Sequence, residues 1–175
     1  MSTRATYRSG ARGRLRDNLE RCAGLILIAA VSTACLSFAL PPVVAITRLS
    51  DLGLGDVGMN STKQVSYADA GAASFRIDVT GFVAQTGITI TLTLPAQLSS
   101  GGSNVPVTFA TTNAAWNYLN APATATVFNP NAGTTIPKNG ANFSAYIWIG
   151  AEVDATGSPP SAQYSNSLTL IADAI

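Results

Sequence analysis

Residues 88–94 read Ile-Thr-Ile-Thr-Leu-Thr-Leu, an alternation that puts every aliphatic side chain on one side of an extended chain and every hydroxyl on the other. A helix, at about 3.6 residues per turn, would scatter those aliphatics around its surface, so the segment predicts a half-buried strand. Thr suits the wet face because its branched Cβ fits the pleat. Residues 75–80 repeat the pattern, with Phe75, Ile77 and Val79 alternating with Arg76, Asp78 and Thr80. The short connection 81–87, bounded by Gly81 and Gly87, predicts an antiparallel hairpin between the two.

Further strands are predicted at similar spacing. Val105, Val107 and Phe109 follow the turn-rich segment 99–104, and residues 123–128 lean toward β before Asn129-Pro130-Asn131 and Gly133. Residues 143–153, FSAYIWIGAEV, set Ala145, Ile147, Ile149 and Ala151 against Tyr146 and Trp148. Pro159-Pro160 interrupts, and residues 164–172 close the pattern with Leu168, Leu170 and Ala172 on one face. No helical period is visible after residue 45. The expected fold class is therefore all-β, a single immunoglobulin-like antiparallel sandwich.

Charge divides the chain. Six of the ten basic residues, Arg4, Arg8, Arg12, Arg14, Arg16 and Arg21, face only Asp17 and Glu20 in the first 21 positions, a net of +4. The remainder holds four basic and seven acidic residues, a net of −3, and so offers no basic surface for nucleic acid. Residues 23–40, AGLILIAAVSTACLSFAL, are uncharged and follow the arginines closely. A basic n-region (1–22), an apolar h-region (23–40) and a small-residue exit form the signature of a secretory signal peptide. Val43 and Ala45 supply the exit. The expected organisation is a signal peptide over 1–45 and a mature sandwich domain over 46–175, with Ala39 as a second exit and an uncleaved anchor as the alternative. The expected destination is secreted, periplasmic or cell-surface, with the membrane engaged only through the signal segment. Charged residues make up 11% of the chain, against roughly 25% in ordinary soluble proteins, which suits an exported or assembled chain.

Catalysis finds little to work with. The chain has no His, which removes the usual general base and the commonest metal ligand. Both cysteines, Cys22 and Cys35, lie in the leader, so the mature domain carries neither thiol nucleophile nor disulfide. Glu152 and Asp154 form the one closely spaced acid pair of the expected strands, yet nothing in the sequence marks a cleft around them, and a solvated strand end is the simpler reading. Ser residues are abundant, but no G-x-S-x-G elbow accompanies them. The expectation is a non-enzyme with no cofactor and no metal. Trp116, Tyr118, Tyr146 and Trp148 are candidate partner- or sugar-binding residues, because aromatic rings offer large contact areas with a polar handle; core packing is the alternative.

Three segments carry a resemblance. Residues 49–58, LSDLGLGDVG, are similar to the L-x-F-G entry of a secreted bacterial β-sandwich family of unknown function, allied to spore-coat-U-like proteins and chaperone–usher pilins. Residues 75–95, FRIDVTGFVAQTGITITLTLP, resemble its central hairpin, and residues 163–174, QYSNSLTLIADA, its final strand. Leu54 stands where that family has an aromatic. The resemblance implies a sandwich lacking its last strand, completed by a neighbour's strand, with Tyr164, Leu168 and Leu170 along the strand-exchange edge. It further implies a pilin-like surface subunit whose partners are other copies, related subunits and a periplasmic chaperone. A monomeric secreted adhesin or glycan-binding module is the alternative.

Overall fold

Alternating apolar runs become strands in the computed structural model, which describes residues 41–157 and 159–175. The n-region, the h-region, both cysteines and Ala39 lie outside the described residues. In chain order the strands are β1 (Val43–Ser50), β2 (Thr62–Val65), β3 (Ala73–Thr80), β4 (Gly87–Thr93), β5 (Gln97–Ser100) and β6 (Ser103–Thr108). β7 (Ala114–Asn117), β8 (Thr126–Phe128), β9 (Thr134–Pro137), β10 (Phe143–Ile149), β11 (Ala151–Asp154) and β12 (Thr169–Ala174) follow. They form a five-stranded sheet ordered β1-β3-β10-β7-β8, a four-stranded sheet β2-β11-β6-β5 and a three-stranded sheet β12-β4-β9. Every pairing between these strands is antiparallel.

One core joins the sheets. Phe75, Ile77 and Val79 of β3 and Ala145, Ile147 and Ile149 of β10 meet Ile88 and Ile90 of β4 and Ile136 of β9 in a single buried cluster. The alternation is obeyed along β3, whose residues are buried and less buried in turn from Ala73 to Thr80. The order β1-β3-β10-β7 corresponds to the A-B-E-D sheet of an immunoglobulin sandwich, and β12-β4 to the F and C strands of its second sheet. In that fold a seventh strand, G, pairs with the outer edge of F. Among the described residues, no strand pairs there.

The structure corrects the hairpin expected over 75–95. β3 pairs with β1 and β10, whereas β4 pairs with β12 and β9, so the two strands belong to different sheets. Phe82 explains why. It is wholly buried within the connection, its backbone N–H donates to the Ala141 carbonyl at 2.9 Å, and its ring meets Phe143 edge-to-face. A tight hairpin would leave Phe82 in water; a crossing from one sheet to the other buries it. The connection thus bridges the sandwich.

Three further readings are corrected. Residues 143–153 are not one strand but two, β10 and β11, which change sheets at Gly150. A side chain at Gly150 would overlap the Val65 carbonyl oxygen and lie 2.7 Å from the Ser66 carbonyl carbon, so the close approach demands glycine. Within 123–128 only Thr126–Phe128 is strand, because Pro122 opens a single 3-10 turn, Pro122–Thr124, just before it. The segment 164–172 also shortens to a strand that begins at Thr169.

Candidate functional site

An edge strand exposes a row of unpaired backbone donors and acceptors, and most proteins keep such edges short or charged. The three sheets here have six edge strands. β8 has three residues, and β2, β5 and β9 have four each. β2 also carries Lys63 and β9 carries Pro137, both of which discourage pairing. The remaining edges are much longer: β1 has eight residues and β12 has six. They belong to different sheets, yet parts of their Cα traces come within 8 Å of each other.

Among the described residues, β12 is paired from one side only. Its six residues pair with β4 from Thr169 opposite Thr93 to Ala174 opposite Ile88. The ladder continues past the strand, where the Ile175 N–H donates to the Gly87 carbonyl at 2.9 Å. Leu170 and Ala172 turn inward and pack on the core, while Ile171 faces out. β12 contains neither Lys, Arg nor Pro; Asp173 is its lone charge.

β1 is held as loosely. It pairs with β3 from Val43 opposite Thr80 to Ser50 opposite Ser74, with a bulge between Arg48 and Ser50. Val44 packs on the core, but Ile46, two residues on and on the same face, is exposed. Arg48 pairs with Asp51 at 2.8 Å in a solvated contact. Of the nine large hydrophobic residues exposed among the described residues, five lie on these two edges or just past them. They are Val43, Ile46, Leu49, Ile171 and Ile175, each between 42% and 60% exposed.

The residues expected along a strand-exchange edge fall differently. Leu170 lies in β12 and Leu168 just before it, and both point into the core. Tyr164 lies outside the strand and donates its hydroxyl to the Pro160 carbonyl at 2.9 Å. The segment around it is tied instead to β5, by paired backbone bonds between Ser99 and Ser165 at 3.0 and 3.2 Å. At the outer edge of β12 the groups left open are its backbone and the side chain of Ile171.

The four aromatics are separated by their sheet into two pairs. Trp116 and Tyr118 lie toward the core, with ring centroids 5.1 Å apart, and Tyr118 also meets Phe143 at 5.9 Å. The Tyr118 hydroxyl donates to the Pro137 carbonyl at 2.6 Å, and burial raises its pKa above the ordinary phenol value. Tyr146 and Trp148 occupy the other face of β10 and stack at 6.2 Å, with Trp148 only 6% exposed. Beside Tyr146 in the ladder is Arg76, which pairs with Asp78 at 2.8 Å; Asp78 also accepts from the Ser144 hydroxyl at 2.6 Å.

Glu152 and Asp154 stand on one face of β11, both half-buried. The Thr156 hydroxyl and N–H hold the Asp154 carboxyl below the usual carboxylate range, and the N–H lies 2.9 Å from Oδ1. Asp154 borders an open hollow of about 280 Å³ with Ser103, Asn104, Pro106, Pro159 and Pro160. No second carboxylate lines it. Among the described residues, no three His, Cys, Asp or Glu side chains gather to hold a metal ion. Comparison with protein-family models, with curated proteins and with solved structures finds no match.

Proposed function

We propose that the domain is a pilin-like structural subunit of the cell surface, assembling through β-strand addition at the outer edge of β12. The observation that carries this reading is that, among the described residues, β12 pairs on one side only, and its open side is where an immunoglobulin sandwich has its G strand. An incoming strand there gains a full row of main-chain hydrogen bonds, and its alternate side chains meet Ile171 and the exposed aliphatics of β1. Low charge in the domain, 4 basic and 7 acidic side chains after residue 45, opposes such pairing little. Before assembly the same edge needs cover, a task that suits a periplasmic chaperone supplying a temporary strand.

A glycan-binding module draws less support. It needs exposed aromatic rings, and here Trp116 and Tyr118 pack on the core while Trp148 is almost wholly covered. The deciding experiment is sedimentation velocity of the exported protein over a wide concentration range. The subunit reading expects concentration-dependent oligomers. A monomer that persists at high concentration and melts cooperatively would overturn it.

A further inference from the structure

We propose that the leader is removed after Ala39, not after Ala45, so that the exported chain begins at Leu40. The proposal rests on the export half of the preceding reading and is independent of strand addition. Ala45 lies inside β1, opposite Asp78. A cut behind it would remove Val43, Val44 and Ala45, three of the seven registered positions by which β1 pairs with β3. Val44 packs on the core opposite Val79, which is almost wholly buried, and its loss would open Val79 to water. The new ammonium group would sit on Ile46, directly opposite the fully buried Ile77. Pro42, which runs past Gly81 at the other end of the β3 ladder, would be lost as well.

The sequence offers a second exit that spares the strand. Ser37 and Ala39 place small residues three and one positions before the bond, the same rule that Val43 and Ala45 satisfy. These two residues lie outside the described residues and enter through the sequence alone. Residues 23–31, AGLILIAAV, already supply an h-region within the usual span of about 7–15 residues. Residues 32–39 then form the exit segment, and Leu40-Pro41-Pro42 leads into β1 intact. The step is hydrolysis of the Ala39–Leu40 peptide bond by a membrane-bound leader peptidase. Water supplies the hydroxyl of the new Ala39 carboxylate and a hydrogen of the new Leu40 amine.

The test is intact mass and N-terminal sequencing of the product exported by a bacterial host expressing the full chain. The expected product begins at Leu40, is unchanged in position by Ala45→Leu and disappears with Ala39→Leu. A product that begins at Ile46 would overturn the site while leaving export standing. Full-length chain retained in the membrane fraction would overturn both.

Discussion

Leu170 stands directly opposite Leu92 in the β12–β4 ladder, and both side chains are half-buried against the core. Ile90, two residues earlier on the same face of β4, is wholly buried, whereas Thr91 between them is exposed. The burial therefore grades along β4, from the middle of the sandwich toward the end near Leu170. Ile90→Ala should cost about 2–5 kcal/mol, the range for deleting a buried aliphatic, and Leu92→Ala less, because part of its side chain is already exposed. Thr91→Ser should stay within about 0.5 kcal/mol. Urea unfolding of the three variants measures the order; a Thr91→Ser cost equal to that of Ile90→Ala would contradict the register.

Gly150 marks the point where the chain leaves one sheet for another, and its position forbids a side chain. The Cβ of an alanine would collide with the backbone of Val65, which the β2–β11 ladder holds, and of Ser66 beside it, and backbone cannot swing aside as a side chain could. Gly150→Ala should therefore destabilise by more than about 3 kcal/mol, in the tail of point-mutant effects. Gly157→Ala, where a Cβ would meet nothing within 4 Å, is the control and should be nearly silent. Comparable melting temperatures for the two variants would refute the close approach.

Tyr118 gives a pH signature. Its hydroxyl donates to the Pro137 carbonyl at 2.6 Å, so Tyr118→Phe should cost about 1 kcal/mol near neutrality. Burial raises its folded pKa above the ordinary value of about 10, so the folded state holds the phenolic proton more tightly than the unfolded state. The stability from Tyr118 is complete below that ordinary value and declines as pH rises through the folded one. The gap between wild type and Tyr118→Phe should accordingly narrow above about pH 10. Chemical unfolding at neutral and alkaline pH measures it, and a gap that widens would reverse the assignment.

Much of this fold is legible in the sequence, because strands buried on one face announce themselves by period two. β3, β4, β6 and β10 are all visible in that way, and so is the all-β class. The exceptions have physical reasons. β1 pairs with β3 through its backbone while most of its side chains stay wet, so Ile46 and Arg48 leave no clean alternation to read. β2, β5, β7 and β9 have four residues each, too few for a period to stand out. Sheet assignment was hidden as well, since the pattern tells which face of a strand is buried but not which strand lies beside it. Phe82 and Gly150 decide that by one burial and one close approach. At the candidate edge, the inward Leu168 and Leu170 draw the eye, whereas the proposed pairing rests on the outward Ile171 and on main-chain groups that every residue carries.

β1 supplies a prediction of its own. Residues 46–50 complete a strand of the same chain, paired to β3. Deleting them should lower stability, because Ile77 and Phe75 lose the neighbours that shield their edge. A chain beginning at Ile46 should likewise melt below one beginning at Leu40, since it lacks Val44. Thermal melts of purified proteins with each N-terminus decide this. Equal melting temperatures would mean that the β1–β3 ladder contributes little.

The last prediction concerns Ile171. It lies mid-way along β12, 45% exposed, on a strand whose outer edge has no partner among the described residues. A lysine there should leave the folded domain almost as stable, because the side chain already faces water and its backbone bonds to β4 do not depend on it. Pairing is a different matter: a charge in the middle of an edge must be desolvated by any strand that docks beside it. Ile171→Lys should therefore reduce self-association at least tenfold while shifting the melting temperature little. Leu119→Lys is the matched control, since Leu119 is also strongly exposed but follows β7, which β3 and β10 separate from β1. It should leave association intact. Sedimentation velocity of both variants beside wild type reads the outcome. If the two lysines weaken association equally, charge rather than position governs it, and the β12 edge is not the contact.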